Sequence, residues 1–126
     1  MKPSFFDMTV HDVDHARRFF ESVFGWHFEK VPSSDQYYRI EAGPADEPGI
    51  NGGIGVVGLA RISEGRPLTQ ISIPVPDLEE FIIKIKEYGG YVLESKMAIP
   101  GVGWYATCAE PGGLVFGVLE ADPKAA

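Results

Sequence analysis

Few side chains in this sequence have the type and spacing that chemistry demands. His11 and His15 stand four apart, a separation that can place two imidazoles together on a helix and so hold a metal. His11, however, precedes Asp12, which reads as a helix N-cap, so the pair straddles a helix start rather than sharing a face. His27 follows at a strand start, and all three histidines read as solvated and structural. The single Cys108 lies in a strand-like run with no histidine placed beside it, which fits a small core residue rather than a nucleophile. No nucleophile elbow, P-loop or dinucleotide fingerprint is present. Asp7 is what remains. A carboxylate in an enclosed place has a raised pKa unless it is hydrogen-bonded or paired, and there it would act as a general acid or base.

The elements that must position these groups follow from periodicity. Residues 4–10 alternate, with Phe6, Met8 and Val10 on one face and Phe5, Asp7 and Thr9 on the other, so they read as a strand. A slip of one residue would exchange the two faces, and would ask Asp7 and Thr9 to pack against a helix. After Asp12, the positions Val13, Ala16, Phe19, Phe20 and Val23 form one apolar helical stripe, and Gly25 stops the helix. Strands are expected at 26–31, 36–41 and 50–57, with a turn at Pro32 to Asp35 and a loop from Gly43 to Gly49. Gly52, Gly53 and Gly55 within the fourth strand mark a bulge or a close approach of another group to the backbone.

The plan then repeats 65 residues later, as Asp12 and Asp77 illustrate. Val10 matches Val75, Val13 matches Leu78, Phe20 matches Ile85, Gly25 matches Gly90 and Trp26 matches Tyr91. Residues 63–67 link the halves. A strand is expected from Leu68 to Val75, with Gln70 and Ser72 on one face and Ile71, Ile73 and Val75 on the other. Asp77 caps the second helix, with Glu80 completing a capping box, and Leu78, Phe81, Ile82, Ile85 and Tyr88 form its stripe. Strands are expected at about 91–97, 103–109 and 114–119, and the tail from Asp122 to Ala126 reads as loose. The class is therefore α+β: two tandem βαβββ modules, about 4–62 and 66–120 of a single 1–126 domain, in a curved mixed sheet with one helix outside each half. Two sheets curving toward each other would enclose a cleft.

The 126 residues carry a net charge of −7 and no Lys/Arg cluster, which opposes nucleic acid and anionic membranes as partners. No apolar run reaches membrane-spanning length, and the start of the chain lacks a signal peptide's apolar core. The lone cysteine excludes an intrachain disulfide and fits a reducing compartment. The chain reads as cytoplasmic.

Three features together, namely the double repeat, the pattern Val10-x-Asp12-x-x-x-Ala16-x-x-Phe19-Phe20 running on to Phe24-Gly25-Trp26, and the ending Glu110-Pro111-Gly112-Gly113-x-x-Phe116-Gly117, resemble the vicinal oxygen chelate superfamily. That superfamily includes glyoxalase I, extradiol dioxygenases, and fosfomycin- and bleomycin-resistance proteins. The resemblance implies metal ligands on the inward faces of the first and last strands of each half. Carried over, those positions fall on Phe5, Gln70, near Gly53 and on Gly117. One neutral amide among them will not hold a divalent metal, so no metal and no cofactor is expected. If Phe5 and Gln70 face inward, then Asp7, Thr9 and Ser72 do also. The expected ligand-binding set is Phe5, Asp7, Thr9, Tyr38, Asn51, Gln70, Ser72 and Trp104, with Asp7 the catalytic candidate. Arg39 is one ion-pair partner that Asp7 could find.

The function implied is a metal-free glyoxalase/bleomycin-resistance-like protein that binds a small, planar or partly aromatic molecule in the cleft. The alternative is a glyoxalase-like lyase or isomerase, or another enzyme with Asp7 as general acid or base. The resemblance also implies a homodimer.

Overall fold

A computed structural model describes residues 2–32, 36–56 and 69–126. The turn expected at Ser33, Ser34 and Asp35, the link at residues 63–67, and the strand ends at Val57 and Leu68 lie outside the described residues. The chain divides into two compact units, Met1–Arg66 and Pro67–Ala126.

The first unit runs β1 (Phe5–Val10), α1 (Val13–Phe24), β2 (His27–Lys30), β3 (Tyr37–Glu41) and β4 (Asn51–Val56). Its helix begins where Asp12 Oδ1 accepts from the His15 N–H at 3.0 Å, and it ends at Gly25 in the left-handed region, φ 73°. The strands form one sheet in the order β1-β4-β3-β2, with β1 parallel to β4 and the other pairs antiparallel. The long excursion from β1 through α1 is what a parallel pairing needs.

The second unit repeats this with β5 (Ser72–Pro74), α2 (Leu78–Glu87), β6 (Tyr91–Ile99), β7 (Gly103–Ala109) and β8 (Val115–Ala121), in the order β5-β8-β7-β6. Asp77 accepts from the Glu80 N–H at 3.1 Å. Glu120 Oε1, from β8, takes the Leu78 N–H at 2.7 Å and so satisfies another free donor at the helix start. The α+β class and the tandem βαβββ plan are as the repeat predicts.

Each sheet has one apolar face under its helix. In the first unit Met8, Val10, Ile40 and Ile54 are buried with Val13, Ala16, Phe19, Phe20 and Val23 of α1. In the second, Ala106, Cys108, Phe116 and Val118 are buried with Leu78 and Ile85. The register expected for β1 therefore holds, with Met8 and Val10 inside and Phe5, Asp7 and Thr9 exposed.

The tail departs from its expected looseness. β8 extends to Ala121, Asp122 N–H donates to Val102 O at 3.0 Å, and Gly101 N–H donates to Ala125 O at 3.0 Å. Asp122 Oδ2 also takes the Trp104 indole N–H at 3.0 Å. The Lys124 backbone N–H, and then this indole, hold the Asp122 carboxyl below its usual range. These bonds tie residues distant in sequence, so no local pattern announces them.

Cys108 is fully buried, and burial pushes its thiol from an ordinary 9.0 up to about 11, with nearby Lys86 pulling the other way. Iodoacetamide at neutral pH is expected to leave Cys108 unlabelled in the native protein and to label it in denaturant, read by mass spectrometry. Labelling at equal rates would show that the strand opens freely. The linked stability follows in sign. The folded state holds the thiol proton more tightly, so this contribution is complete below pH 9.0 and is lost as pH rises toward about 11.

Candidate functional site

Strand alternation decides what the face away from each helix carries. In the first unit, β1 contributes Phe5, Asp7 and Thr9, and their partners on β4 are Asn51, Gly53 and Gly55. Tyr37 stands opposite Gly55 on β3 and leans diagonally across the sheet. Its ring covers Gly53 and Gly55, and its hydroxyl donates to Asp7 Oδ1 at 3.0 Å. A Cβ at Gly53 would collide with the Tyr37 hydroxyl, and one at Gly55 would lie 2.9 Å from the ring. The glycines in β4 are thus the floor on which a tyrosine lies, the close approach that the sequence marked.

The second unit builds the same device. Tyr105 stands opposite Leu119, leans over Gly117 and reaches β5. Its hydroxyl accepts from Gln70 Nε2 at 3.0 Å and shares a 2.8 Å hydrogen bond with Ser72 Oγ. Ser72 pairs with Gly117 as Asp7 pairs with Gly53. A Cβ at Gly117 would collide with the Tyr105 hydroxyl. Each unit therefore presents a phenol laid over a glycine, with its oxygen held by the first strand.

Of the residues expected in the site, the structure gathers Asp7 with Tyr37, and Gln70 and Ser72 with Tyr105. Phe5 and Thr9 share the Asp7 face, and Phe5 is 51% exposed. Asn51 is on that face as well, but its Oδ1 accepts from the Ala42 N–H at 2.9 Å, which closes the β3–β4 loop. Tyr38 and Trp104 lie on the opposite, helix-side faces. The Arg17 guanidinium from α1 sits 4.7 Å from the Tyr38 ring centre, and Lys96 Nζ sits 4.9 Å from that of Trp104. Their neighbours Tyr37 and Tyr105 occupy the polar faces instead. Arg39 pairs with Glu29 at 2.8 Å rather than with Asp7. His11, His15 and His27 are exposed.

The Tyr37 phenol titrates above its ordinary 10.0, first because burial disfavours the phenolate, then because of the hydrogen bond to Asp7 and its charge. Asp7→Asn removes the charge, so the Tyr37 titration, followed by ultraviolet absorbance against Tyr37→Phe as a blank, is expected to move down. An unchanged titration would show that burial alone sets it. The stability linked to this group is complete below pH 10.0 and falls as pH rises above it, since the folded state holds the phenol proton more tightly.

In neither unit do the donors fit a divalent transition metal. Phe5 has no lone pair to offer, the spaces beside Gly53 and Gly117 are filled by tyrosines, and the Gln70 amide nitrogen is turned to Tyr105. Among the described residues, no three His, Cys, Asp or Glu side chains gather closely enough to hold a metal ion. A groove of about 460 Å³ lies elsewhere, between α2 and β6, lined by Ile82, Ile83, Val92, Lys86 and Lys96 among others. Among the described residues no helix is long and apolar enough to cross a membrane.

No family model matches the sequence. The chain is 27% identical over 111 residues, 84% of its length, to a probable chloroplastic lactoylglutathione lyase of Arabidopsis thaliana, and spans about a third (32%) of that protein. Its fold is that of solved glyoxalase/bleomycin resistance/dioxygenase proteins. A family enzyme from Burkholderia phytofirmans PsJN superposes with a TM-score of 0.71 at 12% identity, covering 94% of this chain and 98% of that one. TnmS3, an antibiotic binding protein from Streptomyces sp. CB03234, superposes with a TM-score of 0.68 at 16% identity, covering 97% of both chains.

Proposed function

Starting from the glyoxalase/bleomycin resistance/dioxygenase fold of this chain, we propose that the protein binds a small, planar or partly aromatic molecule on the polar sheet faces of its modules, without a catalytic metal. One observation carries this reading. Near Gly53 and at Gly117, where the resembled family would place metal-ligating side chains, tyrosine hydroxyls stand instead, and Asp7, Gln70 and Ser72 remain exposed beside them. A few convergent polar groups among aromatic surface orient a small ligand. The antibiotic-binding TnmS3 shows that a protein of this fold serves binding. The reading extends to a cytoplasmic homodimer with no nucleic-acid or membrane partner, in keeping with the charge of −7.

The match to a lactoylglutathione lyase favours a second reading, a glyoxalase-like lyase. One experiment separates the two. The purified chain is assayed for isomerisation of the methylglyoxal–glutathione hemithioacetal with Ni, Zn, Mn and Fe each supplied, and in parallel for thermal stabilisation by a panel of planar aromatic compounds. Stabilisation that Tyr37→Phe or Tyr105→Phe weakens, with no turnover under any metal, supports binding. Metal-dependent turnover abolished by a chelator overturns it and restores the lyase.

A further inference from the structure

Counting protons at the two tyrosines separates the two polar faces. Tyr37 has one O–H, and it is committed to Asp7 Oδ1. The carboxylate accepts and cannot donate, so what this pair offers a ligand is acceptors: Asp7 Oδ2 and the remaining phenol lone pair. The neighbouring Asn51 Oδ1 is already held by Ala42.

The second unit balances the other way. Gln70 donates one amide N–H to the Tyr105 oxygen, and Ser72 and Tyr105 share one hydrogen bond between two hydroxyls. Two O–H protons serve one bond. If Ser72 donates, the Tyr105 oxygen accepts twice and its own proton points elsewhere. If Tyr105 donates, the Ser72 proton is the one left over. Either arrangement leaves one hydroxyl proton unspent, beside the second N–H of Gln70. Tyr105 is half-buried while Gln70 and Ser72 are exposed, so that proton is within a ligand's reach.

We infer that the two units read opposite hydrogen-bond polarity: the Asp7–Tyr37 pair takes a donor group such as an ammonium or hydroxyl, and the Gln70–Ser72–Tyr105 cluster takes an acceptor oxygen such as a carbonyl or carboxylate. This rests on the binding reading above and narrows it to the group each unit accepts, a donor at the first and an acceptor oxygen at the second. Charge strengthens the discrimination, because a bond to the ionised Asp7 is stronger than one between neutral groups, and an acceptor-only group facing it gains none.

The test uses ¹⁵N–¹H correlation spectra of the whole chain titrated with benzylamine and, separately, with benzoate and acetophenone. Benzylamine is expected to shift amides around Asp7, Tyr37 and Gly53, and benzoate and acetophenone those around Ser72, Tyr105 and Gly117. Asp7→Asn weakens benzylamine at least fivefold and leaves benzoate unchanged. Tyr105→Phe combined with Ser72→Ala does the reverse, and Tyr105→Phe alone keeps a ring over Gly117 should the double variant fail to fold. Donor and acceptor probes that shift both faces equally, or a benzoate response indifferent to Tyr105 and Ser72, overturn the polarity inference alone. Probes that shift neither face overturn the binding reading and the inference together.

Discussion

Phe20→Ala is expected to destabilise the first unit by about 4 kcal/mol, the range for emptying a fully buried aromatic site. Phe20 has no exposed surface and is the hub of an aromatic cluster. Its ring stacks on Trp26 at 5.0 Å and 10°, meets Phe19 edge-on at 5.1 Å and 85°, and stacks on Phe24 at 6.1 Å and 23°. Such pairs add roughly 0.5 kcal/mol each beyond area burial, and no aliphatic residue replaces them. Phe20→Leu should therefore cost about 2 kcal/mol, since it keeps much of the volume and loses the ring geometry. Against a total stability on the order of 5–15 kcal/mol, the alanine variant is left marginal. Urea unfolding followed by tryptophan fluorescence checks this, with a lowered midpoint and an unchanged slope. A cost near that of an exposed substitution, about 0.5 kcal/mol, would remove Phe20 from the core.

The adjacent glycines of β4 should respond unequally to the same change. Gly52 faces the helix side, where an added Cβ would run into the Phe6 carbonyl oxygen and lie 2.6 Å from its ring carbon. Backbone cannot yield there without opening the β1–β4 ladder, so Gly52→Ala is expected to cost about 3 kcal/mol. Gly53 faces the polar side, where the obstacle is the hydroxyl end of Tyr37. That side chain can swing away, so Gly53→Ala should cost only about 1 kcal/mol. It should nonetheless break the Tyr37–Asp7 bond and return the phenol toward its ordinary titration. The two unfolding curves and one absorbance titration decide the matter. Equal costs at the two positions would mean that the strand does not alternate as described.

Much of the fold is written locally. Asp12 and Asp77 cap helices because a short carboxylate can reach an N–H three residues on. The alternation of Phe6, Met8 and Val10 fixes the face of β1, and the 65-residue repeat carries each inference to the second unit. The site is less legible, for a physical reason. Tyr37 and Tyr38 are adjacent and so are Trp104 and Tyr105, and either member of each pair suits either face of a strand. What decides is the gap beside Gly53 or Gly117, created by one strand, filled from a second and anchored on a third. No single-strand period encodes a three-strand arrangement. The glycine run in β4 was the available signal, because a strand that omits side chains must be making room for something. The docked tail was hidden in the same way, since Asp122 meets Trp104 only through the β7–β8 hairpin.

The tyrosine laid over glycine also governs how this sequence can change. A single substitution that places a carboxylate at Gly53 or Gly117 enters space already held by the Tyr37 or Tyr105 hydroxyl. A carboxylate at either position is thus two coupled steps away, and the order matters: the tyrosine must leave first, taking with it the hydrogen bond to Asp7 or to Ser72. The intermediate has lost a hydrogen bond without having gained the carboxylate. The pairing acts as a ratchet, holding tyrosine and glycine together, and the same valley would have to be crossed twice, once for each module.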